Sequence, residues 1–315
     1  MGNRLLVSIG LIAYNEERFI RQTLESLLAQ DFTDFELIIS DNASTDRTGE
    51  ICREFAAKDP RVIYDRSPEN IGAVGNFNRV VERCSGEYFM FACGHDLWSP
   101  LFLSRCVDIL KSNPGVVLCF SDCAYIDSHG KVIQSVRPQV DTRGMDLRAR
   151  FNAVLWTPHC AAVCGVYRSS ALRQVLPMRS VIGPDNIMLA ELACLGAFAC
   201  IPEELFFRRT FRLGGYQAAT TERLFNRAHP LWRAPAMFWR FAREFLAMVS
   251  RRSPSFIDRV LLGTATSLRL AKMACGFFGT LTFSTFFPRT YARWSKWPTP
   301  QPATCHKKEG TPGCP

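Results

Sequence analysis

The chain has 315 residues, 47% hydrophobic and 21% charged, a balance that fits a globular protein with a sizeable core and excludes a disordered or collagen-like chain. Its thirteen cysteines are scattered, with no C-x-x-C pair and no zinc spacing, so buried free thiols in a reducing, cytoplasmic compartment are expected. The net charge of +9 is uneven: from Leu205 onward 18 Lys and Arg stand against 4 Asp and Glu, while the remainder carries 20 basic and 25 acidic residues, which points to an anionic partner for the last third.

Residues 5–12 are a continuous apolar run and read as a buried strand. The polar Tyr14-Asn15-Glu16 follows at once, which argues against a signal peptide, and Leu6 breaks the myristoylation pattern. Phe19, Ile20, Thr23, Leu24, Leu27 and Leu28 then take helical spacing. A second strand, 35–40, ends in Asp41-Asn42-Ala43-Ser44-Thr45-Asp46, a run of turn and capping residues before a helix over 48–57. Residues 61–64 are a short third strand, Asn70-Ile71-Gly72 opens a helix running to about 84, and 88–92 is a fourth strand. This β-α-β-α-β-α-β order with short connections predicts a doubly wound, mainly parallel α/β sheet whose polar turns gather on one edge.

After the fourth strand comes Cys93-Gly94-His95-Asp96-Leu97-Trp98, and Ser99-Pro100 is expected to open a helix over 100–110. A strand over 116–120, a hairpin over 122–133 turning at Ser128-His129-Gly130, a surface loop over 137–144 and a strand over 160–167 follow. Ser169 is placed as a cap, Ile182-Gly183-Pro184-Asp185 leads into a helix over 186–195, and 197–201 and 205–209 are two further strands. Beyond about residue 220 the pattern is helical, with Arg and aromatics interleaved. The charge-free run 273–287 is 15 residues long, short of the roughly 20 that a bilayer span needs, and suits a helix lying in a membrane interface. An ordinary amphipathic helix packed on the core is the plainer alternative. The expected division is a catalytic domain over 1–215, a basic aromatic helical region over 216–296 and a disordered tail over 297–315.

Asp96 sits where open α/β sheets bind ligands, at the end of an interior strand, and can hold a divalent cation against a nucleotide diphosphate. Capping the next helix is its structural alternative. Tyr14 offers a ring for stacking, and Asp41 a carboxylate for a base N–H. Ser44 and Asp46 suit helix capping. Asn70-x-Gly72-x-x-Gly75-Asn76 puts amides near a phosphate at a helix N-terminus, but it is neither G-x-G-x-x-G nor a P-loop. Asp185 is either a helix cap or a base. His159 and Asp122 are secondary candidates for substrate contact, and no Cys-His-Asp signature supports thiol chemistry at Cys93 or Cys164.

Residues 7–100 resemble the family 2 glycosyltransferases of the GT-A fold, and a looser match continues to about 209. The resemblance is carried by Ser8 to Glu16, by Asp41 to Asp46, by Glu69-Asn70-Ile71-Gly72 with Asn76-Phe77-Asn78, and by Gly94-His95-Asp96. It implies that Ala13, Tyr14 and Glu16 line a nucleoside site, that Asp41 takes the base with Asn42 beside it, and that Asn70, Gly72 and Asn76 lie near diphosphate and sugar. Asp96 matches the last Asp of the family's Asp-x-Asp-type motif, implying Mg²⁺ or Mn²⁺, and Asp185 matches the family's base ahead of a Leu-rich helix. Two departures stand out: Ile12 where Pro is frequent, and His95 where an acid is common, which leaves His95 to hydrogen-bond within or shape the nucleotide-sugar site. The implied activity is inverting transfer from a UDP- or dTDP-sugar to a glycan or polyprenyl-linked acceptor of envelope polysaccharide. It would be peripheral to an anionic membrane surface and would not involve nucleic acid. A catalytically degenerate nucleotide-binding scaffold is the alternative that His95 raises. A nucleotidyltransferase is disfavoured because Glu16 and Glu17 would repel a triphosphate.

Overall fold

A computed structural model describes residues 5–136, 140–156, 161–210 and 234–286. Its centre is a nine-stranded sheet. The first four strands are β1 (Val7–Ala13), β2 (Phe35–Asp41), β3 (Val62–Arg66) and β4 (Tyr88–Cys93). They lie in the order β3-β2-β1-β4, all parallel. β1 and β2 are covered on both faces, which is why they read as unbroken apolar runs rather than alternating ones. Helices α1 (Ile20–Leu28), α2 (Thr48–Lys58) and α3 (Gly72–Glu82) make the crossovers. The predicted turns therefore share the carboxyl edge of this half.

The second half of the sheet is mixed. It is built from β5 (Leu97–Trp98), β6 (Val116–Ile126), β7 (Val132–Val136), β8 (Val166–Arg168) and β9 (Ala197–Arg209). β8 runs antiparallel between β4 and β6, β9 is parallel to β6, and β5 and β7 are antiparallel to β9 and β6. Several boundaries differ from the sequence reading. The two strands expected over 197–209 are one bulged strand, because its pairing with β6 shifts register at Ser121 to Cys123 instead of stopping. The strand expected over 116–120 and the first arm of the expected hairpin are one strand, β6, and the hairpin itself forms where the end of β6 pairs antiparallel with β7, from Cys123 opposite Val136 to Ile126 opposite Val132, across the turn from Asp127 to Lys131. The strand expected over 160–167 is a 3-10 turn, Ala162–Cys164, followed by β8. Helix α4 (Phe102–Ser112) starts two residues after Pro100. Helix α5 (Leu147–Trp156) had no sequence counterpart, because its hydrophobic periodicity is weak. In the expected surface loop, Thr142 is fully buried and its Oγ1 accepts from the Phe198 N–H at 2.8 Å, which ties that segment to β9.

Helices α6 (Ser169–Val175) and α7 (Pro184–Leu195) follow β8, with Ser169 as the first residue of α6 and not its cap. The basic, aromatic region supplies α8 (Ala234–Arg252) and α9 (Phe256–Phe286). Residues 1–271 form one compact unit and 272–315 a second. Within the first unit α8 buries Phe238, Phe241, Phe245 and Met248 and packs against α7. Glu191 of α7, almost fully buried, pairs with Arg179 at 2.8 Å and with Arg252 at 2.9 Å, which pins the end of α8. No helix among the described residues is long and apolar enough to cross a membrane. The tail over 297–315 lies outside the described residues.

Candidate active site

The carboxyl edge of β1, β2 and β4 opens into a cavity of about 700 Å³. Ala13, Tyr14, Glu16, Asn42, Asn70, Asn76 and His95 all line it, so seven of the sequence-selected residues converge on one space. The strand-end turns are built from each other. The backbone N–H groups of Asn15, Glu16 and Glu17 donate to Ser44 Oγ, Thr48 Oγ1 and Asp46 Oδ2 at 3.0, 2.7 and 3.0 Å. In return the Thr45 and Arg47 N–H groups donate to Asn15 Oδ1 and Glu17 Oε2 at 2.8 and 3.0 Å. Asp46 Oδ1 also accepts the Thr48 N–H at 2.9 Å, from the residue before the N-cap Arg47, so it supports the first turn of α2 without being its cap. Asn15 and Ala43 hold φ values of 54° and 60°, a left-handed backbone that costs a non-glycine residue free energy and is kept here by the interlock.

Asn42 and Asn70 extend the same logic to the third turn. Asn42 donates to Asn70 Oδ1 at 2.8 Å and accepts the Ile71 N–H at 2.9 Å, while Asn70 Oδ1 also takes the Gly72 N–H at 2.9 Å. Gly72 has φ 75°, so a side chain there would be strained. Asn76 lines the cavity but is spent on structure: it accepts from Ser40 Oγ at 2.6 Å and donates to the Ser40 carbonyl at 2.8 Å. Asp41 is also spoken for. It is fully buried, accepts the Ser44 N–H at 2.9 Å and the Tyr64 hydroxyl at 2.6 Å, and is not among the residues facing the cavity. In this conformation it braces the turn, and contact with a base would require it to exchange a partner.

The loop after β4 is the floor. Gly94 passes so close to Glu16 that an added Cβ would lie 2.9 Å from its Cγ. His95 Nδ1 hydrogen-bonds Glu16 Oε1 at 2.8 Å, and its Nε2 is 4.0 Å from Asp96 Oδ1. Burial favours the neutral imidazole, but the Glu16 hydrogen bond and the charges of Asp96 and Glu16 outweigh it and push the pKa up to about 9. Asp96 is 2% exposed. Burial raises its pKa, while His95, the Arg209 N–H and the charge of Arg208 work the other way. It does not cap α4, whose N-cap is Leu101.

Asp96 is held by a residue that sequence reasoning had placed only as part of a trailing match. The Arg209 N–H donates to Asp96 Oδ1 at 2.9 Å. The Arg209 guanidinium donates to the carbonyls of His95 and Asp127 at 2.9 and 2.7 Å and to Gln22 Oε1 at 2.9 Å, and it stacks over Phe19 at 4.6 Å. Nothing local could have shown this, because the partners lie 113 residues apart. Two thiols sit beside Asp96: Cys93, which also lines the cavity, and Cys164 of the 3-10 turn. A hydrogen bond with Cys164 holds Cys93 below the ordinary thiol range against the effect of burial, while Cys164 is pushed well above it.

Asp185 lies apart from this cavity, in the first turn of α7 after Pro184. Gly183, with φ 60°, is the N-cap, so Asp185 is not needed there. Its charge, with that of Cys164, adds to burial in raising the pKa of Tyr167, whose hydroxyl donates to the Val163 carbonyl at 2.9 Å. Asp122 is buried on β6 near the Cys200 thiol, and His159 lies outside the described residues. As for a metal, one buried carboxylate suffices for Mg²⁺ or Mn²⁺ when diphosphate oxygens and water complete the shell, so Asp96 fits that group.

Residues 8–176, more than half of the chain, match the sequence profile of Glycosyl transferase family 2. The chain belongs to this family. Among relatives of this family 2 chain is an uncharacterized protein of Mycobacterium tuberculosis, 32% identical over 221 residues, 69% of this chain and 62% of that protein. This chain thus spans less than two thirds of that relative. Its fold is that of S. aureus TarS 1-349 solved with UDP-GlcNAc, at a TM-score of 0.62 and 17% identity, over 90% of this chain and 74% of that one. The mannosyltransferase PcManGT from Pyrobaculum calidifontis, solved with GDP-Man and Mn²⁺, aligns at a TM-score of 0.53 and 17% identity, over 93% and 84% of the two chains.

Proposed function

We propose that the protein transfers a sugar from a nucleoside diphosphate sugar, UDP- or dTDP-linked, to a hydroxyl of a glycan or polyprenyl-linked acceptor in envelope polysaccharide synthesis. The observation that carries this reading is the convergence of four strand-end turns on one cavity floored by His95 and backed by Asp96. In this reading Tyr14, 44% exposed and lining the cavity, stacks on the nucleoside, and the turn held by the Asn42–Asn70 pair borders the diphosphate. A divalent cation, Mg²⁺ or Mn²⁺, would be held by Asp96 and would offset charge on the departing diphosphate. Asp185 takes the acceptor proton while the acceptor oxygen bonds to the anomeric carbon and the bond to the diphosphate breaks, in one displacement with inversion.

A basic apolar surface supports a peripheral site of action at the cytoplasmic face of an anionic membrane. Trp239 on α8 and Phe256, Ile257 and Leu268 on α9 are 66%, 76%, 60% and 61% exposed, and Arg240, Arg243 and Arg259 lie on the same two helices. Sugar-nucleotide turnover across a donor panel tests the proposal. Turnover is expected with Mn²⁺ or Mg²⁺, to vanish with EDTA, and to fall by roughly 10²–10⁴ in Asp185→Ala. Turnover that survives both treatments would sink the mechanism, and nucleotide binding without turnover in any metal would favour a degenerate scaffold.

A further inference from the structure

Cys93, Cys164 and Asp96 come together from three separate elements. Cys93 ends β4, Cys164 ends the 3-10 turn before β8, and Asp96 lies in the turn before β5. One ligand atom from each, two Sγ and one carboxylate oxygen, lies within 4.8 Å of the others. A tetrahedral ion with bonds of about 2.3 Å to sulfur separates its ligands by about 3.8 Å, so small side-chain movements close this set around a cation. Cys164 and Asp96 are 6% and 2% exposed, and Cys93 borders the cavity, which gives a buried base with one open side.

The donor chemistry is not that of an oxygen cage. Mg²⁺ and Ca²⁺ are bound through oxygen, whereas two thiols with one carboxylate select a softer ion. We propose that Cys93, Cys164 and Asp96 form a zinc site, in which a thiophilic divalent cation binds both sulfurs and the carboxylate with its fourth position open to the cavity. Binding one Zn²⁺ forms two zinc–sulfur bonds and releases two thiol protons to solvent. The site shares Asp96 with the oxygen-seeking cation of the proposed reaction, so the two ions exclude each other, and zinc inhibits transfer. That second consequence rests on the proposed function; zinc binding does not.

The test uses the full chain, stripped of metal and kept reduced with a phosphine. Co²⁺ titration is expected to give a thiolate-to-cobalt charge-transfer band that saturates at one equivalent, resists excess Mg²⁺ and is lost on adding Zn²⁺. Substituting an outer neighbour of a metal ligand costs roughly 10–100-fold in affinity, so Cys93→Ser and Cys164→Ser, which remove direct ligands, should each weaken binding by at least that much. Absence of the band in the parent chain, or its persistence at full strength in both serine variants, overturns the site. Should a variant fail to fold, alkylation of Cys93 in the parent chain decides: protection by stoichiometric zinc supports the site, and no protection refutes it. Zinc inhibition of donor turnover that is relieved in Cys164→Ser supports the shared use of Asp96. A chain that binds zinc here but turns over no donor refutes the proposed function and leaves the zinc site standing.

Discussion

The two halves of the sheet meet at β4 and are made by different means. On the β1–β4 side, every strand is parallel and every turn is short, and the turns are locked by side chains from the adjacent turn, as in the exchange between Asn15–Glu17 and Ser44–Thr48. On the β5–β9 side, parallel and antiparallel pairings are mixed, and the site is fixed by one long reach, from Arg209 at the end of β9 back to His95 and Asp96. The first arrangement spreads its support over many modest hydrogen bonds, and the second concentrates it in one residue, whose backbone N–H holds Asp96 and whose guanidinium holds the loop around it. A protein built this way should tolerate damage to the β1–β4 turns and fail when the single clamp is removed.

The largest contrast is expected at Arg209. Arg209→Met removes three guanidinium hydrogen bonds from a residue only 3% exposed and leaves the His95 and Asp127 carbonyls short of a donor. Stability should fall by about 3 kcal/mol in urea denaturation, with donor turnover lost more steeply than nucleotide binding. An equal loss of both would mean that the clamp serves the whole fold and not the Asp96 loop. Ser44→Ala removes one of the five contacts that lock the first turn to the second, from the partly solvated Asn15 N–H, and should cost only about 1 kcal/mol. A cost as large as that at Arg209 would erase the contrast.

The smallest effect at neutral pH concerns the thiols shared by both halves. Burial pushes Cys52, Cys84 and Cys200 up to about 12 and Cys194 up to about 11. Above the ordinary thiol pKa of about 8.5 the unfolded chain releases these protons while the native chain keeps them. The contribution of these thiols is therefore unchanged below about pH 8 and declines as pH rises from there toward 12, beyond the separate loss that His95, its pKa raised to about 9, brings between about pH 6.5 and 9, and thermal melts across that range would read both. In the native state Cys93 should be alkylated ahead of those four. A melting temperature flat to pH 11 would show that the thiols are not buried as described.

The same division explains what could be read in the sequence. The β1–β4 half was legible because β1, β2 and β4 are largely apolar runs and each turn carries its polar residues beside it, and Tyr14, Glu16, Asn42, Asn70 and His95 line one cavity. What those residues do there was less legible. Asp41 and Asn76 have the right chemistry and the right place, yet their hydrogen bonds turn inward to Tyr64 and Ser40. The β5–β9 half was harder because its strands are set by pairing over long separations. The bulge that joins 197–209 into one strand leaves no mark on periodicity, and the role of Arg209 depends on a partner over a hundred residues away. Cys93 and Cys164, set aside for want of a motif, are neighbours only because β4 and the turn before β8 pack together.

The reach of Arg209 also has a meaning for the order in which the protein is made. A ribosome that has delivered β1 to β4 has already released a chain able to form the interlocked turns, since all their partners lie before residue 77. The carboxylate at 96 is not yet set at that stage, because its anchoring N–H is still more than a hundred codons downstream. Pocket and charge thus mature at different times, and a nascent chain can shape the cavity walls well before the Asp96 carboxylate is anchored.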